Sequence, residues 1–143
     1  MSNVAKQCTA TVIPGMRYRD ALRMMDWLEQ AFGFQRKAVY MSGETTVGHA
    51  EMTFGNGMVM LGSVDNGSKS SANMVQPDET GGRETQSAYL VVSDAEAIYR
   101  TAKAAGAEMT LELTEMDYGG KAFGCRDPEG HIWSIGEYDP WAV

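Results

Sequence analysis

The chain has 143 residues, 43% hydrophobic and 22% charged, with a formal net charge of -7. That length fits one domain, or two small halves sharing a core. The acidic balance argues against nucleic acid, whose phosphates demand a basic patch, and no apolar run is long enough to span a bilayer.

Residues 1–7 lack the apolar stretch of a secretory signal, so the expected location is the cytoplasm. Cys8 and Cys125 lie far apart, with no CxxC, and are expected to be free, buried, strand-borne thiols. Residues 8–14 (CTATVIP) are β-rich and stop at Pro14-Gly15, which predicts a first strand. Asp20 then caps a helix whose apolar residues Ala21, Met24, Met25, Leu28, Ala31 and Phe32 recur at helical spacing, with Gly33 as its stop. Residues 34–41 predict a strand ending in the turn Ser42-Gly43-Glu44. Residues 47–54 predict another, in which His49, Glu51 and Thr53 alternate with Ala50, Met52 and Phe54. Asn56-Gly57 is a hairpin signal leading into a strand over 58–64. Residues 65–85 are rich in Gly, Ser and Asn and read as a linker or mobile flap.

The pattern then starts again. Residues 86–92 predict a strand, and Ser93 with Glu96 fits a capping box for a helix that stops at Gly106. Strands follow over 107–116 and 121–126, separated by Tyr118-Gly119-Gly120. The turn Asp127-Pro128-Glu129-Gly130 feeds a last strand over 131–138. The order is βαβββ, loop, βαβββ. Ile13 maps onto Ser87 at an offset of 74, and Met58 onto His131 at 73. A duplicated unit explains this, with repeat one at about 8–64 and repeat two at about 86–139 of a single domain spanning 1–143. The expected fold class is α+β, with two βαβββ repeats forming a curved mixed sheet around a shared cleft and helices outside.

A paired βαβββ chain ending in DPEGHIWSI (127–135) resembles the vicinal oxygen chelate superfamily. RYRDALRMMDWLEQAFGF (17–34) resembles the first helix of its members, and GHAEMTFGNGMVMLG (48–62) the hairpin that follows. The resemblance covers about residues 8–139 and is nearest to bleomycin-resistance-like and PhnB-like proteins. The superfamily also holds glyoxalase I, extradiol dioxygenases and fosfomycin-resistance enzymes. Its metal-using members carry His, Glu or Gln on the first and last strand of each repeat. Carried over, those positions fall on Ile13, Leu61, Ser87 and Ser134. None is a good ligand for a divalent ion, and a slip of one residue offers only Gln86. The resemblance therefore implies a protein without metal or cofactor.

If those positions face the cleft, strand parity sets Thr11, Val59, Ser63, Tyr89, Val91, Ile132, Gly136 and Tyr138 beside them. His49, Glu51 and Thr53 then face the cleft in one repeat, and Ala122, Gly124 and Arg126 in the other. The candidate ligand-binding residues are His49, Glu51, Leu61, Ser87, Tyr89, Arg126 and Ser134, and no catalytic residue is assigned. His49 beside Glu51 suits an acid–base pair or a hydrogen-bonded cleft lining, with Arg126 as a neutralising partner. His131 is expected at the surface. Tyr118, Tyr138 and Trp141 suit stacking on a planar ligand, ordinary packing or a dimer contact.

These features predict a metal-free protein that binds a small planar or cationic molecule, in the manner of drug or toxin sequestration. The alternative is a lyase or isomerase using His49 and Glu51, or a metal-dependent enzyme of the same superfamily. Similar proteins commonly dimerise, so a homodimer is expected.

Overall fold

A computed structural model describes residues 3–142. Its contacts divide the chain into two units: residues up to Glu29 together with Gly33–Met74, and Gln30–Phe32 together with Val75 onward. The first holds β1 (Gly15–Tyr18), most of α1 (Ala21–Phe32), β2 (Gln35–Met41), β3 (Val47–Phe54) and β4 (Gly57–Ser63). The second holds β5 (Ala88–Val91), α2 (Ala95–Ala104), β6 (Glu108–Glu115), β7 (Lys121–Arg126) and β8 (Ile132–Gly136). Each has a four-stranded sheet, ordered β1-β4-β3-β2 and β5-β8-β7-β6. In both, the first strand lies parallel to the last, and the other pairs are antiparallel. This is the α+β, βαβββ duplication expected from the spacing.

Local chemistry explains the helix ends. The Asp20 carboxylate accepts from the Arg23 amide at 3.2 Å and satisfies one of the orphan donors of the first turn. Gly33 stops α1 at φ +90°, where its N–H reaches back to Leu28 and Glu29 carbonyls. In α2 the cap is Asp94, which accepts from the Ala97 amide at 3.1 Å, and not Ser93. Starting one residue later puts Glu96 at the second helical position, too early to close a capping box. Glu96 instead pairs with Arg100 and Lys121. The Ala95 amide is taken from outside the helix by Glu137, at 2.9 Å.

Residues 8–14 do not form a strand. Val12 is 83% exposed, and the ladder begins where the Pro14 carbonyl accepts from the Met60 amide. β4 continues to Gly57, but the β1–β4 register starts at Gly15 and takes in none of the residues before it. Cys8 is accordingly exposed, whereas Cys125 is buried in β7 as expected. Ser87 likewise precedes β5 instead of lying within it.

Residues 65–85 contain two short 3-10 turns, Lys69–Asn73 and Pro77–Glu79. Their second half is strapped to the β7–β8 turn. Arg126 donates to the Gly82 carbonyl at 2.6 Å, and the Glu84 carboxylate bonds both His131 and the Ile132 amide.

Candidate functional site

Register decides which side chains share a face, because paired residues of adjacent strands project on the same side. In the second unit Phe123 pairs with Ile135 and Cys125 with Trp133, while Leu90 pairs with Ile135. All five are buried. The opposite face therefore carries Tyr89, Ser134 and Gly124, which pair in one row, together with Ala122, Gly136 and Arg126. Its centre is a row of small residues, of which Gly124 is buried beneath Thr110, whose hydroxyl would stand 2.8 Å from a Cβ there. Tyr89 crosses one end of that row, and its hydroxyl would stand 2.7 Å from a Cβ at Gly136. The ring needs a residue without a side chain beneath it. Burial, with smaller contributions from Tyr118, Tyr138 and Asp139, pushes the Tyr89 phenol above its ordinary pKa.

In the first unit Leu61 pairs with Ala50 and Met16, and Val59 with Met52. Ala50, Met52, Val59 and Leu61 are buried, so Leu61 is a core residue of its sheet and does not line an open face. The expectation failed by one residue. Met60 is the residue that pairs with Glu51, as Ser134 pairs with Gly124. Glu51 to Gly124 is an offset of 73, but Met60 to Ser134 is 74. The β7–β8 connection holds one more residue than the β3–β4 turn: Arg126 pairs with Ile132, whereas Thr53 pairs with Met58. A single-residue slip turns every later side chain of the strand over.

His49 and Glu51 do meet, with Nε2 and Oε2 2.9 Å apart on the open face of β3. An ionised carboxylate only accepts, so the ring donates through Nε2–H and a neutral His49 keeps Nδ1 as its acceptor. The His49 hydrogen bond, helped by Lys37 at 3.7 Å, holds the Glu51 carboxyl below its ordinary pKa. Tyr40, the cross-strand partner of His49, lies nearly parallel to its ring with centroids 6.1 Å apart. Sequence reasoning passed over Lys37 and Tyr40. Tyr40 follows from the β2–β3 pairing once the register is known, whereas Lys37 lies at the irregularity between Arg36 and Ala38. Arg126 is occupied by the Gly82 and Gly130 carbonyls, within its own unit. It serves the strap and is not offered to a ligand.

The turn that feeds β8 is built on Asp127. Its Oδ1 accepts from the Glu129 and His131 amides, each at 3.0 Å, and its Oδ2 from the Trp133 indole at 3.1 Å. His131, expected at the surface, is only 8% exposed, with Nδ1 2.6 Å from Glu84. The DPEGHIW run is thus a structural clasp beside Ser134. It places that serine in the middle of the open face and contributes no reactive group there.

A metal is the group that the superfamily resemblance raises. Ile13 and Ser87 lie before their strands, Leu61 is buried, and the open-face residues in question are Met60 and Ser134. Among the described residues no group of three or more His, Cys, Asp or Glu is arranged to hold a metal ion. A thioether and a serine hydroxyl do not suit a divalent ion that prefers imidazole or carboxylate. The donor set does not fit the group.

Comparison with known proteins agrees with this architecture. No curated protein matches the chain. Among solved structures, TioX from Micromonospora sp. ML1 is 26% identical, with a TM-score of 0.71 over 90% of this chain and 98% of that one. A protein of unknown function from Agrobacterium tumefaciens str. C58 is 19% identical, with a TM-score of 0.69 over 91% and 94%. The fosfomycin resistance protein FosX from Mesorhizobium loti is 16% identical, with a TM-score of 0.64 over 92% and 93%. The family described as the Glyoxalase/Bleomycin resistance protein/Dioxygenase superfamily matches residues 10–135. With the duplicated βαβββ order and the match over most of its length, the chain belongs to the glyoxalase/bleomycin resistance protein/dioxygenase superfamily.

Proposed function

We propose that this protein binds a small organic molecule on the open faces of its sheets, without a metal. The observation that carries the reading is the composition of the second unit's open face. Ala122, Gly124, Ser134 and Gly136 form a row of small residues crossed by Tyr89. Thr110 stands over Gly124 and Tyr89 over Gly136, so the room left for a ligand lies at the half-buried Ala122 and Ser134, where the Tyr89 ring supplies apolar contact. The net charge of -7 favours a cationic ligand through the overall field. Sequestration of a cationic, partly planar drug or toxin is the concrete form. Isothermal titration against bleomycin and a panel of cationic aromatic drugs tests it. Saturable binding by at least one is expected, and uniform absence of binding would sink the proposal.

A second reading rests on His49 and Glu51. The carboxylate fixes the imidazole and leaves Nδ1 to take a proton, which is the arrangement of a general base. A lyase or isomerase would use it so. If a substrate is turned over, His49→Ala should abolish turnover, whereas Glu51→Gln should lower it by about 10–100-fold. Unchanged turnover in His49→Ala removes this reading.

A further inference from the structure

Three tyrosines of the second unit gather at one end of its sheet. Tyr118 stands in the β6–β7 turn, Tyr138 two residues beyond β8, and Tyr89 on β5. The Tyr118 and Tyr138 rings meet edge to face, with centroids 5.2 Å apart and planes at 71°. The Tyr89 hydroxyl donates to the Tyr138 carbonyl at 2.6 Å and ties the third ring to the same place. All three remain 40–60% exposed. Asp139 follows directly, and its carboxylate accepts from the Trp141 amide at 2.9 Å. It lies close enough to Tyr89 for its charge to raise that phenol's pKa.

The angle between the rings decides what such a place can hold. A flat aromatic ligand stacks best between parallel rings. Rings near a right angle form a corner, which fits a compact, rounded group. Both ring faces carry partial negative charge, and the neighbouring carboxylate adds a full one. A cation with a greasy shell suits all three features, because it loses little hydration on entering.

We propose that Tyr118, Tyr138 and Tyr89, with Asp139, form a corner that binds a quaternary ammonium group, a trimethylammonium head being the model case. The inference rests on the reading of this sheet face as a ligand site, and it names the chemical class of the ligand's charged end. The drug or toxin then carries an alkylated amine, with its remaining body directed over Ala122 and Ser134.

Choline and its neutral isostere 3,3-dimethyl-1-butanol are the probes, followed by nuclear magnetic resonance of the tyrosine ring protons. Choline should shift the three rings saturably and bind roughly tenfold tighter than the alcohol. Tyr118→Leu should remove that difference, and Tyr118→Phe should keep most of it, since the ring and not the hydroxyl does the binding. Asp139→Asn should weaken choline several-fold while leaving the alcohol unchanged. Tyr118 is exposed, so its variants are expected to fold, and their melting temperatures verify this. Equal binding of choline and the alcohol, or full choline binding by Tyr118→Leu, overturns the proposal. If choline fails while a cationic drug still binds, only the ammonium corner is wrong. If every drug also fails, the ligand-binding reading falls with it.

Discussion

Asp127 shows how a single side chain can dictate a local fold. It is 4% exposed and accepts from two backbone amides and an indole N–H. Removing it strands several buried donors at once, each at about 1–3 kcal/mol. Asp127→Ala should therefore destabilise the protein by roughly 2–5 kcal/mol in chemical denaturation. A loss below ~1 kcal/mol would mean that the clasp is incidental. Glu51 makes a subtler prediction. Its carboxyl is depressed by the His49 hydrogen bond and by Lys37, so it should titrate below an ordinary glutamate. A depressed carboxyl contributes stability that is present above the unfolded pKa and fades as the pH falls through the folded one. Carbon nuclear magnetic resonance of the carboxyl reads this directly, and His49→Ala should move the midpoint upward. The thiols differ in the same way. Burial, with Asp127 nearby, pushes Cys125 up to about 12, while Cys8 is exposed. Ellman's reagent should modify Cys8 quickly in the native protein, and Cys125 only after unfolding.

Elements were legible where their signal is local. The α1 caps Asp20 and Gly33 and the alternation in β3 carry their own chemistry and stand where they were read, whereas the hairpin turn falls one residue early, on Gly55-Asn56 with Gly55 at φ +56°, and Gly57 already belongs to β4. Pairing is not local, and the misreadings come from it. Residues 8–14 have strand composition but lie outside the β1–β4 register, which starts at Gly15, so they remain irregular. Leu61 faces the core beside Ala50, and it was matched to Ser134 because the β7–β8 connection is one residue longer than the β3–β4 turn, a difference that periodicity within a strand does not reveal. His131 was read as exposed because nothing near it in sequence announces Glu84, 47 residues away. Gly130 shows the strap acting on the turn. It sits at φ +92°, and an added Cβ would meet Pro77 at 3.2 Å. Gly130→Ala should cost about 1–3 kcal/mol from the backbone conformation alone. It should also loosen the strap, seen as faster amide exchange across residues 77–84. Unchanged exchange there would show that the strap holds without the turn.

For the molecule as a whole, the edge strand β2 leaves Val39, Tyr40 and Met41 exposed. An uncovered edge with large apolar residues invites pairing with another chain, in line with the homodimer expected from the sequence. Light scattering at micromolar concentration should give twice the 15.6 kDa chain mass, and a monomer would contradict it. The superfamily includes metal-using enzymes, but the fold does not by itself carry their chemistry. Here Met60 and Ser134 occupy open-face positions where such a site would need imidazole or carboxylate. The most direct test of the account is therefore the binding titration, repeated after exhaustive dialysis against a chelator. The account predicts that a cationic aromatic ligand binds with unchanged affinity, and that Ser134→Trp, which fills the room at Ala122 and Ser134, abolishes binding. Binding that vanishes in chelator and returns with stoichiometric zinc, nickel, manganese or iron would contradict it.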